Sequence, residues 1–280
     1  MSTPTNPPVV FIHGLWIHSD SWTPWIDLFD QHGYTAVAPG WPGDGDTVEA
    51  TRAHPEALDG IGIEAIFDHY ADIIEAMPQK PIVIGHSFGG LIAQELLAHD
   101  LAIAAVAIDP APIKGVKALP FAQLRSGFPI LGKPSSKKHT VSLTGAQFQY
   151  SFGNALSKDE SDALHTRFTI PGPGRPLFED AAANFSRTSP AAVDTYKTPR
   201  GPLLLTSGSL DHTVPEKVTR EVFALYTKHT DSVTDFHEFE GRGHSLAFDS
   251  GWADVAADVL TWLDQKVTTD APLKSFAANA

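Results

Sequence analysis

The chain contains no cysteine among its 280 residues. That excludes disulfide staples, a thiolate nucleophile and any metal centre built on cysteine sulfur. Positive charge is also scarce: 20 lysines and arginines face 33 aspartates and glutamates, a formal charge of −13. A surface that negative repels phosphate backbones and anionic lipid, so neither nucleic acid nor a membrane is an expected partner. No apolar run approaches the roughly 20 residues that cross a bilayer. Residues 1–8 carry no basic residue and no apolar stretch of the signal-peptide kind. The expectation is a soluble, cytoplasmic protein acting on a small molecule, of unspecified oligomeric state. Walker-type phosphate loops and dinucleotide fingerprints are missing too, and His13 and His18 are not at metal-ligand spacing. No cofactor and no metal are expected.

What remains is a globular composition, 42% apolar and 19% charged, in a length that fits one domain carrying an insertion. Val9, Val10, Phe11 and Ile12 form a short buried strand that ends at His13-Gly14. Trp22, Trp25, Ile26 and Phe29 follow at helical spacing, with Gly33 as a stop. Residues 34–38 alternate as a second strand. Ile63, Phe67, Tyr70 and Ile74 share one helical face. Strands at 81–84 and 103–108 flank a helix at 91–98. This rhythm implies a parallel sheet covered on both faces.

From residue 110 to about 202 the rhythm stops. Prolines, glycines and scattered aromatics take over, and the segment reads as short helices and loops inserted between two core strands. Strand and helix then alternate again: 203–206, 216–226, 233–239 and 252–263. The expected organisation is a core of residues 1–109 and 203–267, a mainly helical lid at 110–202, and a tail at 268–280 that frays.

The chemistry centres on Gly85-His86-Ser87-Phe88-Gly89-Gly90, which leaves a buried strand and opens a helix. A serine hydroxyl becomes a nucleophile when a sharp strand-to-helix turn lifts it clear of the sheet toward a base. Such a turn is crowded, which explains Gly85 and Gly89. The base follows the nucleophile in chain order. Of the downstream histidines, His237 sits in a strand and His229 in a featureless connection. His244 sits in Gly241-Arg242-Gly243-His244-Ser245, between the last strand and the last helix, where catalytic loops of parallel sheets gather. Asp211, after the 203–206 strand, is the expected orienting acid. Asp109, at the end of the 103–108 strand, is the alternative. The oxyanion donors are expected at the backbone N–H groups of Phe88 and Leu15. Trp16, Trp41, Phe121 and Phe178 are candidate pocket residues.

These pieces, together with Val214-Pro215, resemble the α/β-hydrolase superfamily over nearly the whole chain. The resemblance implies a mostly parallel doubly wound sheet, a Ser-Asp-His triad and no cofactor. Too few residues precede Val9 for the antiparallel hairpin that usually opens that sheet. The sequence is therefore similar to the compact plant methylesterase and hydroxynitrile lyase branch. The lyases carry lysine directly after the catalytic histidine, where this chain has Ser245, which argues against lyase chemistry. The expected reaction is hydrolysis of a small or medium uncharged carboxylic ester through an acyl-enzyme. Amide, lactone or carbamate cleavage and perhydrolysis would use the same triad. A non-catalytic ligand-binding receptor of the same fold is the alternative of a different class.

Overall fold

The computed structural model describes residues 6–228 and 232–267. The expectations for the 268–280 tail and for His229 fall outside the described residues. Six strands form one parallel sheet in the order β2-β1-β3-β4-β7-β8. They are β1 (Val9–Ile12), β2 (Ala36–Val37), β3 (Ile82–His86), β4 (Ala104–Ile108), β7 (Leu203–Gly208) and β8 (Thr234–Phe239). Every residue of β1, β3, β4 and β7 is buried, because helices cover both faces of the sheet. The central pair runs in register over its whole length, Ile82 to Ala104 through His86 to Ile108. No antiparallel strand accompanies this sheet among the described residues.

The helices α1 (Thr23–Gln31), α2 (Val48–Ala53), α3 (Ile63–Glu75), α4 (Phe88–Ala98), α9 (Glu216–Thr227) and α10 (Trp252–Lys266) belong to this α/β unit. All eleven residues of α4 are buried, so it lies within the core and not at its edge. In α3 the buried face is Ile63, Ile66, Tyr70 and Ile74; Phe67 turns half outward and packs on His99 at a ring distance of 4.9 Å. That shifts the expected stripe by one position, since a helix face 3.6 residues in period admits either neighbour. No helix of the described residues is long and apolar enough to cross a membrane.

From β1 the chain goes to β2 on one side, then returns to β3 on the other. The crevice between the C-terminal ends of β1 and β3 is thus the switch point of the sheet, where ligands of such folds bind. Between β4 and β7 come α5 (Phe121–Leu131), β5 (Thr140–Val141), α6 (Gly145–Ser151), α7 (Lys158–Phe168), β6 (Gly172–Pro173) and α8 (Arg175–Ala181). The β5–β6 pair is a two-residue antiparallel ladder apart from the main sheet, too short to show as alternation in the sequence.

An aromatic cluster fixes α1 on the sheet. Phe11 stacks on Trp22 at 4.9 Å and meets Phe29 edge-on at 5.2 Å. Trp25 is fully buried and its indole N–H donates to the Ala247 carbonyl at 2.7 Å, tying α1 to the loop that carries His244. Trp25→Ala should lower the free energy of unfolding by about 3–5 kcal/mol through lost burial and a residual cavity. Trp25→Phe should cost less, because it keeps the apolar body and gives up the hydrogen bond. Chemical denaturation of the two variants measures both.

Candidate active site

Ser87 sits at the junction of β3 and α4 with φ 56° and ψ −119°, a backbone conformation that L residues rarely adopt. The turn closes so tightly that a Cβ on Gly85 would lie 2.0 Å from the Gly89 carbonyl oxygen, and one on Gly89 would lie 2.2 Å from that of Ile12. The elbow is held to the sheet by its own backbone. The Ser87 N–H donates to Ile108 O at 2.9 Å, and Ser87 O accepts from Gly90, Leu91 and Ala111. The loop after β1 approaches from the other side: a Cβ on Gly14 would fall 2.9 Å from the Ser87 Cβ. That approach puts Leu15 beside Ser87 in the wall of one cavity. The Phe88 N–H is the first of α4 and so has no acceptor within the helix.

Below the elbow, His244 Nδ1 donates to Asp211 Oδ2 at 2.5 Å, both side chains being fully buried. Asp211 Oδ1 accepts the backbone N–H groups of Thr213 at 2.6 Å and Val214 at 2.9 Å. The second ring nitrogen, His244 Nε2, is buried with no hydrogen-bond partner among the described residues. The structure therefore joins Asp211 to His244 directly, whereas Ser87 Oγ makes no hydrogen bond to His244. With its proton on Nδ1, the imidazole keeps a free lone pair on Nε2, as a general base requires.

Asp109 lies in the same cluster. Its Oδ2 is 3.8 Å from His244 Nδ1, beyond hydrogen-bond reach, and its Oδ1 accepts the Gly208 N–H at 2.8 Å. Burial, and after it the negative charge of Asp211, hold the Asp109 carboxyl well above the usual carboxylate range. Of the two acids beside His244, Asp109 is the one that burial drives toward the protonated form. His86 is pushed well below the usual histidine range, chiefly by burial and next by His244. Its Nε2–H donates to the His244 carbonyl at 2.8 Å and so anchors the histidine loop.

His86, Asp109 and His244 each bring one ligand-capable atom within 4.8 Å of the others. Spacing in the sequence does not reveal this trio, which comes from the end of β3, the residue after β4 and the loop that follows β8. Burial drives the Asp109 carboxyl toward its protonated form, which weakens the one anionic donor of this trio. The loop is braced further by Ser245 Oγ, which donates to Asp249 at 2.9 Å, and by Arg242, which pairs with Asp249.

A cavity of about 430 Å³ opens over Ser87. Trp16 lines it, and so do Phe152, Leu177 and Val214. Three expected lining residues do not. Trp41 is buried against His13, stacked at 5.0 Å with its indole N–H on the His13 carbonyl. Phe121 points to solvent, 77% exposed, and Phe178 packs on the core. Aromatic character in the insert marked the right region but could not tell an inward from an outward ring. Phe152, which meets His244 edge-on at 4.9 Å, is the aromatic the site uses. Sequence reading also missed Asp180 and Gln123, two polar residues of a wall that is mainly apolar. Nothing in their spacing marks them, because α8 and α5 are short and irregular.

The parallel sheet, the strained serine elbow and the acid–histidine pair at the strand ends define one class of protein. A model of the alpha/beta hydrolase family matches residues 9–258, and the chain belongs to that family. It is similar in structure to a monoacylglycerol lipase from Paleococcus ferrophilus, at 23% identity and a TM-score of 0.64, over 93% of this chain and 96% of the lipase. An extracellular alpha/beta-hydrolase from a Paenibacillus species gives 19% identity and a TM-score of 0.65 over 91% of this chain and 98% of its own. A methylesterase from Arabidopsis gives 15% and 0.63, over 92% and 99%. No curated protein matches the chain.

Burial alone pushes the Asp180 carboxyl up to about 8. Its folded value is thus above its unfolded value near 3.9, and the native state binds the extra proton between the two. This group's contribution therefore falls as pH rises from about 4 to about 8. Asp180→Asn removes the penalty. Its melting temperature relative to wild type should rise between pH 5 and pH 9. A difference that stays flat with pH would show that Asp180 ionises freely.

Proposed function

We propose that the chain hydrolyses carboxylic esters through an acyl-enzyme on Ser87. The observation that carries this reading is the left-handed Ser87 at the β3–α4 elbow, facing a cavity and next in chain to His86, which holds the loop of a His244 with Nδ1 on Asp211 and Nε2 free. Ser87 Oγ attacks the ester carbonyl carbon while His244 Nε2 takes the hydroxyl proton. The hydrogen bond between them forms as substrate enters, since such bonds commonly tighten only in the Michaelis complex. Negative charge on the carbonyl oxygen is met by the Leu15 and Phe88 N–H groups. Collapse breaks the C–O bond, and the departing alcohol takes the proton from His244. Water then gives a proton to His244 and attacks the acyl carbon. Collapse releases the acid and returns the proton to Ser87.

Asp211 has the role of orienting acid. It lies within hydrogen-bond reach of His244 Nδ1, where Asp109 does not. The apolar lining supports an ester with an apolar body of small or medium size. Residues 110–202 act as the lid in this reading, since Val116, Leu124, Phe152 and Leu177 from that stretch wall the cavity. The lipase and methylesterase whose structures resemble this one are consistent with the assignment.

Ser87→Ala should reduce kcat on a phenyl ester by a factor of about 10⁵ or more and abolish labelling by a fluorophosphonate probe. Residual turnover above a few per cent, in purified folded protein, overturns the assignment. Asp211→Asn should cost about 10³–10⁴ in kcat by releasing the imidazole from its tautomer. Asp109→Asn, which replaces one neutral hydrogen-bonding group by another, should cost far less. The opposite ranking transfers the orienting role to Asp109.

A further inference from the structure

Asp180 and Gln123 line the cavity, and neither the Asp180 carboxyl nor the Gln123 side-chain oxygen has a protein partner among the described residues. Asp180 comes from α8 and Gln123 from α5, two helices that pack together in the insert. The Asp180 carboxyl makes no hydrogen bond or ion pair among the described residues, and burial is the sole influence on it. The Gln123 side-chain oxygen is buried without a partner. The carboxylates nearby are treated differently. Glu179, the preceding residue, pairs with Arg175 at 2.6 Å and accepts the Ile63 N–H at 2.8 Å. Asp59 accepts from Thr140 at 2.7 Å and His139 at 3.2 Å. Asp249 is held by Arg242, Ser245 and Gly251. Glu95 in α4 also has a buried carboxylate oxygen without a partner, but it lies outside the cavity; Asp180 is the unpaired acid that lines it.

The complement of that pair is a cation. Asp180 is half-buried and faces the cavity, and Gln123 offers a buried acceptor without a partner; a charged donor suits both because it also favours ionisation of the acid. The protein supplies none: Lys117, the one basic residue lining the cavity, is exposed at its rim and exerts no pull on Asp180. The surface charge of −13 draws cations toward the entrance. Val116, Leu119, Leu124 and Leu177 line the remainder, which suits a hydrocarbon chain.

We propose that Asp180, supported by the Gln123 amide, binds a protonated amine carried on the apolar acyl or alcohol chain of the substrate. The proposal rests on the ester-hydrolase reading for the word substrate, and it replaces the expectation of an uncharged ester with an amino-alkyl one. Matched pairs test it, phenyl 6-aminohexanoate against phenyl heptanoate and 6-aminohexyl acetate against heptyl acetate. In each pair an ammonium replaces a methyl group of similar size. At pH 7 the wild type should favour the amine member of at least one pair by about tenfold or more in kcat/KM, mainly through KM. Asp180→Asn should bring that ratio close to one. A wild-type ratio near one in both pairs, or a preference that survives in Asp180→Asn, overturns the proposal.

Binding of n-hexylammonium, followed by calorimetry, separates the site from the reaction. If no ester is cleaved but hexylammonium binds wild type and is weakened tenfold or more by Asp180→Asn, the amine site stands and the ester reading fails. If esters are cleaved but hexylammonium binds both proteins alike, the amine site fails and the ester reading stands.

Discussion

Everything at this site hangs on one strained residue. Ser87 holds a conformation that costs on the order of 1–3 kcal/mol, and the surrounding backbone leaves it no alternative. Its N–H is bound to the end of β4 and its carbonyl accepts three N–H groups, one of them from Ala111 beyond β4. The glycines at 85 and 89 allow strand and helix to meet where any side chain would overlap a carbonyl. Because β3 lies between β1 and β4, the same elbow meets the Gly14-Leu15 loop on one side and Asp109 on the other. On the proposed reading, a central strand suits a nucleophile because its neighbours bring a donor loop on one side and an acid on the other.

The acid cluster shows how burial divides labour between like groups. Asp109 and Asp211 end neighbouring strands, and both lie near one imidazole nitrogen. Two adjacent buried carboxylates cannot both be charged at low cost. Asp211 receives three donors, two from its own turn and one from His244. Asp109 receives one, from Gly208, and is held neutral. The difference originates in local backbone: the turn at 211–214 directs two N–H groups at its own aspartate, and the end of β4 has none to spare.

Much of this was legible in the residues themselves. Parallel strands announce themselves as unbroken apolar runs, and the order elbow, acid, histidine fits this sheet in a single way. Asp211 and Asp109 both follow strands, so the sequence offers Asp109 as the alternative to Asp211; the hydrogen bond to His244 Nδ1 made by Asp211 is a matter of geometry that periodicity does not carry. The pocket was the least legible part. Its walls come from short helices with prolines and glycines, where direction is set by tertiary packing. Trp41 shows the difficulty: a tryptophan in a loop near the site reads equally well as lining or as packing, and here it packs on His13. Asp180 shows the converse, since an aspartate at the end of a short helix reads as an ordinary surface residue.

The insert and the oxyanion loop are one structural unit, and this limits how far specificity can vary independently of chemistry. The Trp16 indole donates to Val141 O at 2.9 Å, Trp16 O accepts from Ile170 N at 2.9 Å, and Phe168 O accepts from His18 N at 2.9 Å. Ile17 and Thr169 form a bridge between the same two segments. Arg52 clamps the end of α7 through the Thr166 and Thr169 carbonyls, fixing the insert to the core. Residues 168–170 therefore act as an extra strand laid along the loop that carries Leu15. A substitution that displaces them moves the Leu15 N–H, and in the proposed mechanism a donor displaced by about 1 Å forfeits much of its effect. Walls formed by α5 and α8 do not share that tether and can change shape while the donor stays in place. Specificity is thus free to drift on the α5–α8 side of the cavity, where Asp180 and Gln123 lie, and is constrained on the side of Trp16 and Phe168.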